Sequence, residues 1–142
     1  MQAKRLQEGG GLAHTGPDYG RDVREQAPAV LAVAAGGVIG ALARHGVSLA
    51  VDVPRDGFPW ATFGINVLGC LLIGALMALP AKGLRRPLLG TGVLGGFTTF
   101  SGYTVETEHL LAGGHFVIAG LYVLGTLFAA LGAVVLGARL VR

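Results

Sequence analysis

Four long apolar segments occupy most of the chain after residue 27, and they constrain its fold more than any other feature. They cover residues 28–51, 58–80, 87–111 and 115–140. A helix of about 20 apolar residues is long enough to cross the hydrocarbon core of a bilayer. Of the 142 residues, 13% are charged, whereas about a quarter are charged in a typical soluble domain. The pattern predicts an all-α membrane protein with four transmembrane helices, formed by residues 28–142 after a disordered cytoplasmic tail of residues 1–27.

The basic residues predict one orientation in the membrane, because Lys and Arg are enriched in cytoplasmic loops. With the N-terminus inside, seven basic residues near the spans lie on the inner side and one, Arg55, lies on the outer side. The inner residues are Arg21, Arg24, Lys82, Arg85, Arg86, Arg139 and Arg142. We therefore expect a multi-pass protein of the cell membrane with both termini in the cytoplasm. The positive charge then reports topology, and no nucleic-acid partner is expected.

Several polar side chains interrupt the apolar segments in the outer half and middle of the predicted membrane. Thr62 and Asn66 are four residues apart in the second segment, as are Tyr122 and Thr126 in the fourth, so each pair shares one helix face. Polar groups inside spans usually face the bundle interior or a water-filled path. We expect these pairs to line one route, together with Glu106 of the third segment.

The sequence GGFTTFSGYTVE, residues 95–106, predicts a break in the third transmembrane helix, because glycine, threonine and serine form helices poorly. Irregular backbone at membrane depth is tolerated only where protein or water satisfies its polar groups. A break near residues 95–101 would release carbonyls that can hold a cation. Phe97, Phe100 and Tyr103 recur at a spacing of three. Their ring edges are electropositive, so they can attract an anion weakly enough for it to leave again.

Three motifs resemble those of the Fluc (CrcB) family of fluoride channels. GGFTTFSGYTVE resembles the third-span signature GG-x-TTFSTF. GGVIGALARH at residues 36–45 is similar to the first-span motif GG-x-x-GA-x-x-R-Y, and TFGINVLGCLLIG at residues 62–74 is similar to the second-span motif T-L-x-V-N-x-x-G-x-x-x-x-G. The motifs occur in the family's order, and the resemblance covers nearly all of residues 30–140.

The resemblance implies passive, fluoride-selective transport by an antiparallel, dual-topology-type dimer with two pathways between its subunits. Asn66 would hydrogen-bond fluoride through its side-chain amide, and Phe100 and Tyr103 would present ring edges to the ion. The remaining pathway positions bear hydroxyl groups and are Thr126, Tyr122, Ser101 and Thr99.

The resemblance also implies a structural sodium ion at the dimer centre, held by main-chain carbonyls. The matching positions in this chain are Gly95 and Thr98. Arg44 and Glu106 match vestibule or structural positions. From the residues alone, Arg44 has three interpretations: an anion attractant, an anchor snorkelling outward, or a partner of Glu106.

Two features depart from the family pattern. The second phenylalanine of the signature is Tyr103, whose hydroxyl group is able to bind water or partly obstruct one pathway. The seven-to-one charge bias argues against a homodimer, because an antiparallel homodimer needs one sequence to insert both ways. Our hypothesis is a dimer with an oppositely oriented paralogue, and a homodimer remains the alternative.

Two alternatives to a conducting channel subunit stay open. One is a non-conducting structural subunit of a heterodimeric fluoride channel. The other is a small four-span exporter of organic cations, although the first span lacks the carboxylate that such an exporter uses. Gly90, Gly92 and Gly95 match the glycines of a dinucleotide-binding motif, but no predicted strand precedes them, as that motif requires. Glycine pairs at Gly36/Gly40 and residues 92/96 instead favour close helix packing. A metal site at Glu108, His109 and His115 has no supporting ligand geometry, and no nucleophile–base pair suggests an enzyme.

Overall fold

The computed structural model describes residues 19–51, 56–80 and 83–142, which form helices joined by short turns. Five α-helices are numbered in chain order, and a π-helical segment precedes the third. They are α1 (Tyr19–Ala50), α2 (Trp60–Ala78), the π-segment (Arg86–Leu94), α3 (Gly95–Phe97), α4 (Phe100–Ala112) and α5 (Phe116–Leu140). The all-helical prediction is confirmed for these residues.

Three helices are long and apolar enough to cross a membrane: residues 26–50 of α1, α2 and α5. They correspond to the first, second and fourth predicted spans. The third predicted span is a succession of the π-segment, the single turn of α3 and the separate helix α4. Since it is interrupted, it does not count as one membrane-length helix, and the four-span arrangement stays a prediction.

The predicted tail, residues 1–27, falls partly outside the described residues, which begin at residue 19. From there the chain is already helical, because α1 starts at Tyr19 and continues through Pro28. The division into a tail and a channel domain therefore stays a prediction.

Two glycine pairs bring α1 into backbone contact with the third segment. A Cβ atom at Gly36 would collide with the Leu88 carbonyl oxygen, and one at Gly40 with the Val93 carbonyl oxygen. From the other side, Gly96 lies directly against the Gly37 carbonyl. The close approach predicted from the glycine spacing is confirmed, and it explains why these positions have no side chain.

Helices α2 and α5 pack in a similar way. Gly74 of α2 lies against the Val134 carbonyl, and Gly137 of α5 lies against the Leu71 carbonyl. Near the start of both helices an apolar cluster forms around Tyr122, Leu110 and Ala119. The ring of Phe58 packs edge-on against Tyr122, with centroids 5.4 Å apart. These contacts pack α4 against both α2 and α5.

Much of the remaining surface is apolar. Large side chains such as Leu31, Val117 and Phe128 are more than half exposed. Soluble proteins rarely expose contiguous apolar surface on this scale. Such a surface suits hydrocarbon or a second subunit as its surroundings.

Candidate functional site: a polar groove at the break of the third segment

An open groove of about 440 Å³ lies between α2, α5 and the break in the third segment. Seven predicted site residues line it: Asn66, Gly95, Thr98, Thr99, Phe100, Tyr103 and Thr126. Its other walls come from Gly69, Cys70, Ile73, Gly90, Leu94, Leu127 and Ala130. The structure thus brings together residues from the second, third and fourth predicted spans at one surface.

The break itself consists of Thr98 and Thr99. Thr98 has φ −72° and ψ 156°, and Thr99 has φ −144° and ψ 123°. Both residues are extended, so the chain leaves the helix after Phe97 and re-enters it at Phe100. Thr99 caps the new helix, because its Oγ1 accepts the N–H of Gly102 at 3.0 Å. A threonine at this position provides the side-chain acceptor that helix N-termini prefer.

Asn66 pairs with the backbone of Thr99 in both directions. Its Oδ1 accepts the Thr99 N–H at 2.9 Å, and its Nδ2 donates to the Thr99 carbonyl at 3.1 Å. A carboxamide carries two N–H donors, so one N–H of Asn66 remains for another acceptor. The side chain therefore satisfies the extended backbone and still has a donor at the groove.

The same hydrogen bonds release two carbonyl groups. In a continuous helix, the Gly95 carbonyl would accept the N–H of Thr99, and the Thr98 carbonyl would accept the N–H of Gly102. Those two N–H groups instead donate to Asn66 Oδ1 and Thr99 Oγ1. Gly95 and Thr98, the two positions predicted to bind sodium, are thus among the residues whose carbonyl groups lose their helical partners at the break.

Four aromatic rings form a row from the groove toward the start of α5. Phe100 is 78% exposed at the groove. Its ring centroid lies 5.8 Å from that of Tyr103, which lies 5.2 Å from that of Tyr122, which packs on Phe58. The Tyr103 hydroxyl donates to the Val123 carbonyl of α5 at 3.3 Å. The phenol group is therefore directed at the neighbouring helix.

Glu106 lies one turn further along α4 and accepts two short hydrogen bonds. Thr62 Oγ1 donates to Oε1 and the Tyr122 hydroxyl donates to Oε2, both at 2.8 Å. Thr62 and Tyr122 are buried. Glu106, Tyr122 and Ser101 lie outside the groove wall, although Ser101 Oγ is 3.2 Å from Thr99 Oγ1.

Thr126 differs from the other polar residues of α5. It is buried, yet its Oγ1 has no hydrogen-bond partner among the described residues. Buried polar atoms normally have a partner. Because Thr126 lines the groove, its hydroxyl group is a site at which a polar ligand or water would be stabilised.

Arg44 has a partner that the sequence did not indicate. Its Nε donates to the Gly96 carbonyl at 3.3 Å, while the partners shown for Glu106 are Thr62 and Tyr122. In the cluster of Glu108, His109 and His115 considered above as a metal site, His115 Nε2 lies 3.6 Å from Asp56 Oδ1. Within the described ranges, no three His, Cys, Asp or Glu side chains are grouped to hold a metal ion.

Several residues of the groove were not predicted from the sequence. Gly69, Cys70 and Ile73 lie on the same face of α2 as Asn66, at spacings of three, four and seven, and this spacing was the available signal. A Cβ atom at Gly69 would collide with the Thr98 side chain. Gly69 therefore gives the break room to approach α2.

Known proteins resemble this chain over most of its length. A family model described as CrcB-like protein, Camphor Resistance (CrcB), matches residues 31–138. The chain is 45% identical over 147 aligned positions to the fluoride-specific ion channel FluC 1 of Streptomyces coelicolor, covering 100% of this chain and 95% of the relative. It is 49% identical over 107 positions to FluC 2 of Streptomyces avermitilis, covering 72% and 68%. FluC 1 of Mycobacterium tuberculosis is 46% identical over 127 positions, covering 85% and 92%.

Fold and similarity together define an integral membrane protein related to ion channels. The chain belongs to the CrcB family, as its motifs predicted. The relatives named above are ion channels, not enzymes.

Proposed function

We propose that the chain is a subunit of a fluoride-selective channel that lets the ion leave the cell passively. One observation carries the proposal: a helix break whose backbone is capped by Asn66 opens onto a groove lined by Phe100, Tyr103 and Thr126. This combination offers amide, hydroxyl and ring-edge contacts to an anion. The names of the relatives support fluoride as that anion.

Each contact in the groove replaces part of the ion's hydration without a fixed positive charge. Asn66 contributes its remaining N–H, and Thr126 contributes a hydroxyl group that has no protein partner. Phe100 and Tyr103 contribute ring edges, which are electropositive. Thr99 and Ser101 would contribute further hydroxyl groups along the route, whereas the Tyr122 hydroxyl group, also predicted for the pathway, donates its proton to Glu106 Oε2. Such contacts are firm enough for an ion to enter and weak enough for it to leave.

Gly95 and Thr98 would hold a structural sodium ion through their carbonyls. The fit is good in chemical terms, because hard cations prefer oxygen ligands and both carbonyls have lost their helical N–H partners. A bound cation would supply positive charge that stabilises the break. We therefore propose both the sodium ion and its position at the dimer centre, which the family resemblance implies.

The proposed assembly is an antiparallel dimer of four-span subunits, in which the interrupted third segment also crosses the membrane. The exposed ring of Phe100 and the open groove support a second subunit as the missing wall. The seven-to-one charge bias supports an oppositely oriented paralogue as that subunit. Numbered relatives within one organism, FluC 2 and FluC 3 of Streptomyces avermitilis, show that such chains occur as paralogues.

The benefit to the cell follows from acid chemistry. Fluoride enters as uncharged HF, dissociates in the more alkaline interior and is trapped as the anion. An open pathway lets the anion move out down its gradient, which lowers its toxicity.

A second candidate is a non-conducting structural subunit, in which only the paralogue's rings conduct. The charge bias and the replacement of the second signature phenylalanine by Tyr103 favour it. The direction of the Tyr103 hydroxyl group, toward Val123, favours a conducting subunit instead, because the group that could obstruct a pathway is bonded to α5.

Fluoride efflux from liposomes tests the proposal. Liposomes loaded with potassium fluoride are prepared with this chain alone and with an oppositely charge-biased paralogue from the same genome, and efflux is followed with a fluoride electrode after valinomycin is added. We expect efflux of fluoride but not of chloride. Absence of fluoride efflux from both preparations would contradict the channel, and transport of an organic cation would favour the exporter.

Phe100→Ile is the most specific single change, because it removes the ring edge at the groove. The matched control is Phe128→Ile, since Phe128 is 66% exposed and lies outside the groove. In the preparation that conducts, we expect Phe100→Ile to lower fluoride efflux at least about tenfold, which corresponds to losing one contact of about 1.4 kcal/mol. We expect Phe128→Ile to leave efflux unchanged. Equal efflux from both variants would refute the role of Phe100.

A further inference from the structure

Arg44 of α1 donates a hydrogen bond to a carbonyl group of α3 that the break deprives of its helical partner. In a continuous helix the Gly96 carbonyl would accept the N–H of Phe100. Because Thr98 and Thr99 are extended, the chain carries that N–H away along a different path. The Nε of Arg44 donates to the Gly96 carbonyl at 3.3 Å. An arginine side chain thus replaces a backbone donor.

Three positions of α1 hold α3 in place. Gly37 lies against the backbone of Gly96, and Gly40 lies against the N–H of Phe97. Arg44 is four residues after Gly40, so it lies on the same helix face. We call Gly37, Gly40 and Arg44 the α1 cradle. Two members of the cradle fix α3 by close contact, and the third fixes it by a hydrogen bond.

The hydrogen bond between Arg44 and Gly96 also offsets two free-energy costs of burying polar groups in a membrane. A backbone carbonyl released at membrane depth must find a donor inside the protein. A cationic side chain within a span needs a polar partner for the same reason. The hydrogen bond gives the Gly96 carbonyl its donor and the Arg44 guanidinium its polar partner. A purely electrostatic role for the guanidinium would not explain this bond.

We propose that Arg44 is a positioning residue that holds α3 through the Gly96 carbonyl, and thereby fixes the start of α4 that presents Phe100 to the groove. Its hydrogen bond, and not its charge, is then what the break requires. The link to ion flux rests on the proposed channel function, whereas the effect on the break does not.

Two substitutions separate the hydrogen bond from the charge. Arg44→Gln removes the charge but keeps an N–H donor at the same number of bonds from Cα as Nε. Arg44→Met places a methyl group at the same number of bonds from Cα as Nε, so it matches the glutamine in length and removes both charge and donor. Arg139→Met is the control, because Arg139 is an exposed residue in the last turn of α5.

Hydrogen exchange of the amides of Thr99 and Gly102, followed by mass spectrometry in detergent micelles, reads the break directly. These amides donate to Asn66 and Thr99. We expect Arg44→Met to accelerate their exchange on the order of tenfold, the effect of losing one hydrogen bond. Arg44→Gln and Arg139→Met should exchange like the unchanged chain.

Fluoride efflux is measured on the same variants. We expect Arg44→Gln to retain efflux within about twofold and Arg44→Met to lose it several-fold, in proportion to the loss of one hydrogen bond. An equal loss in both variants, with unchanged hydrogen exchange, would overturn the proposal and assign Arg44 an electrostatic role. If Arg44→Met does not fold, the Arg44→Gln variant decides, because accelerated exchange in it contradicts the proposal. If the unchanged chain does not conduct, the channel proposal fails while the exchange data still test the cradle.

Discussion

At the scale of single residues, side chains take over hydrogen bonds that a regular helix makes with its own backbone. Asn66 accepts the N–H of Thr99, Thr99 accepts the N–H of Gly102, and Arg44 donates to Gly96. Each replacement releases or satisfies one backbone group at the break. The interruption is therefore a hydrogen-bonded structure, and its stability should depend on a few side-chain atoms.

Thr99→Val tests one of these atoms, because valine has the shape of threonine without its hydroxyl group. The N–H of Gly102 loses its acceptor, and we expect the free energy of unfolding to fall by about 1 kcal/mol, the usual value of a helix N-cap. Chemical unfolding in detergent micelles measures it. Thr104→Val is the control, since Thr104 Oγ1 is exposed and bonds only back to Ser101 of its own helix. If both variants are equally stable, Thr99 does not cap α4.

Tyr122→Phe tests the hydrogen bonds of Glu106. The change leaves Glu106 Oε2 without the donor that lies 2.8 Å away. A fully buried acceptor left unpaired costs about 1–3 kcal/mol, and for the half-buried Glu106 we expect a loss near the lower end of that range. Tyr103→Phe is the matched control, because the Tyr103 hydroxyl donates over a longer 3.3 Å to a carbonyl within α5. We expect the control to lose less than about 1 kcal/mol in unfolding. Equal losses would show that Glu106 does not depend on Tyr122.

At the scale of elements, glycine positions determine which helices touch backbone to backbone. Gly36 and Gly40 bring α1 against the π-segment and α3, and Gly74 and Gly137 bring α2 against α5. Within a membrane, close packing of this kind is a main source of helix association. The groove lies where these two packed pairs meet, between α2, α5 and the break.

Gly40→Ala should therefore disturb more than one contact. Its new Cβ atom would meet the Val93 carbonyl and the Phe97 backbone nitrogen, and overpacking of this kind costs about 1–3 kcal/mol. Gly46→Ala is matched on the same helix, because a Cβ atom there meets no atom within 4 Å. We expect the control to be neutral or more stable by up to about 1 kcal/mol. Thermal unfolding in micelles compares the two, and equal midpoints would contradict the packing.

At the scale of the whole molecule, the distribution of charge and of apolar surface decides how subunits assemble. Large apolar side chains remain exposed on α1, α2 and α5, and the groove is open on one side. Both features suit a protein surrounded by lipid and one further subunit. The charge bias determines how each subunit inserts, and thus whether a copy of the same chain is available as an antiparallel partner.

Reporter fusions measure that orientation. With seven basic residues on one side against one on the other, we expect a C-terminal reporter to be found on the cytoplasmic side in nearly all molecules. The control replaces Arg85 and Arg86 with Ala and adds two Lys residues beside Arg55, which should reduce the bias and produce both orientations. Comparable amounts of both orientations in the unchanged chain would favour an antiparallel homodimer.

Much of the architecture was determined by the sequence alone, because it depends on properties that are local along the chain. Apolar length predicted four membrane-length segments, and three of them are continuous helices of that length in the described part of the chain. Glycine and threonine content predicted that residues 95–101 would not continue one helix. Helical spacing placed Thr62 with Asn66 and Tyr122 with Thr126 on common faces. The motif carried by Phe100 and its neighbours indicated the family.

Only the tertiary structure decided which polar groups meet. Spacing states which residues share a helix face, but it does not state how one helix is rotated and shifted against another. Arg44 was a candidate partner of Glu106 by depth, yet it bonds to Gly96, while Glu106 bonds to Thr62 and Tyr122. Asn66 was expected to face an ion, and it also holds the backbone of Thr99. These pairings depend on contacts between residues far apart in the chain, which arise only when the helices pack.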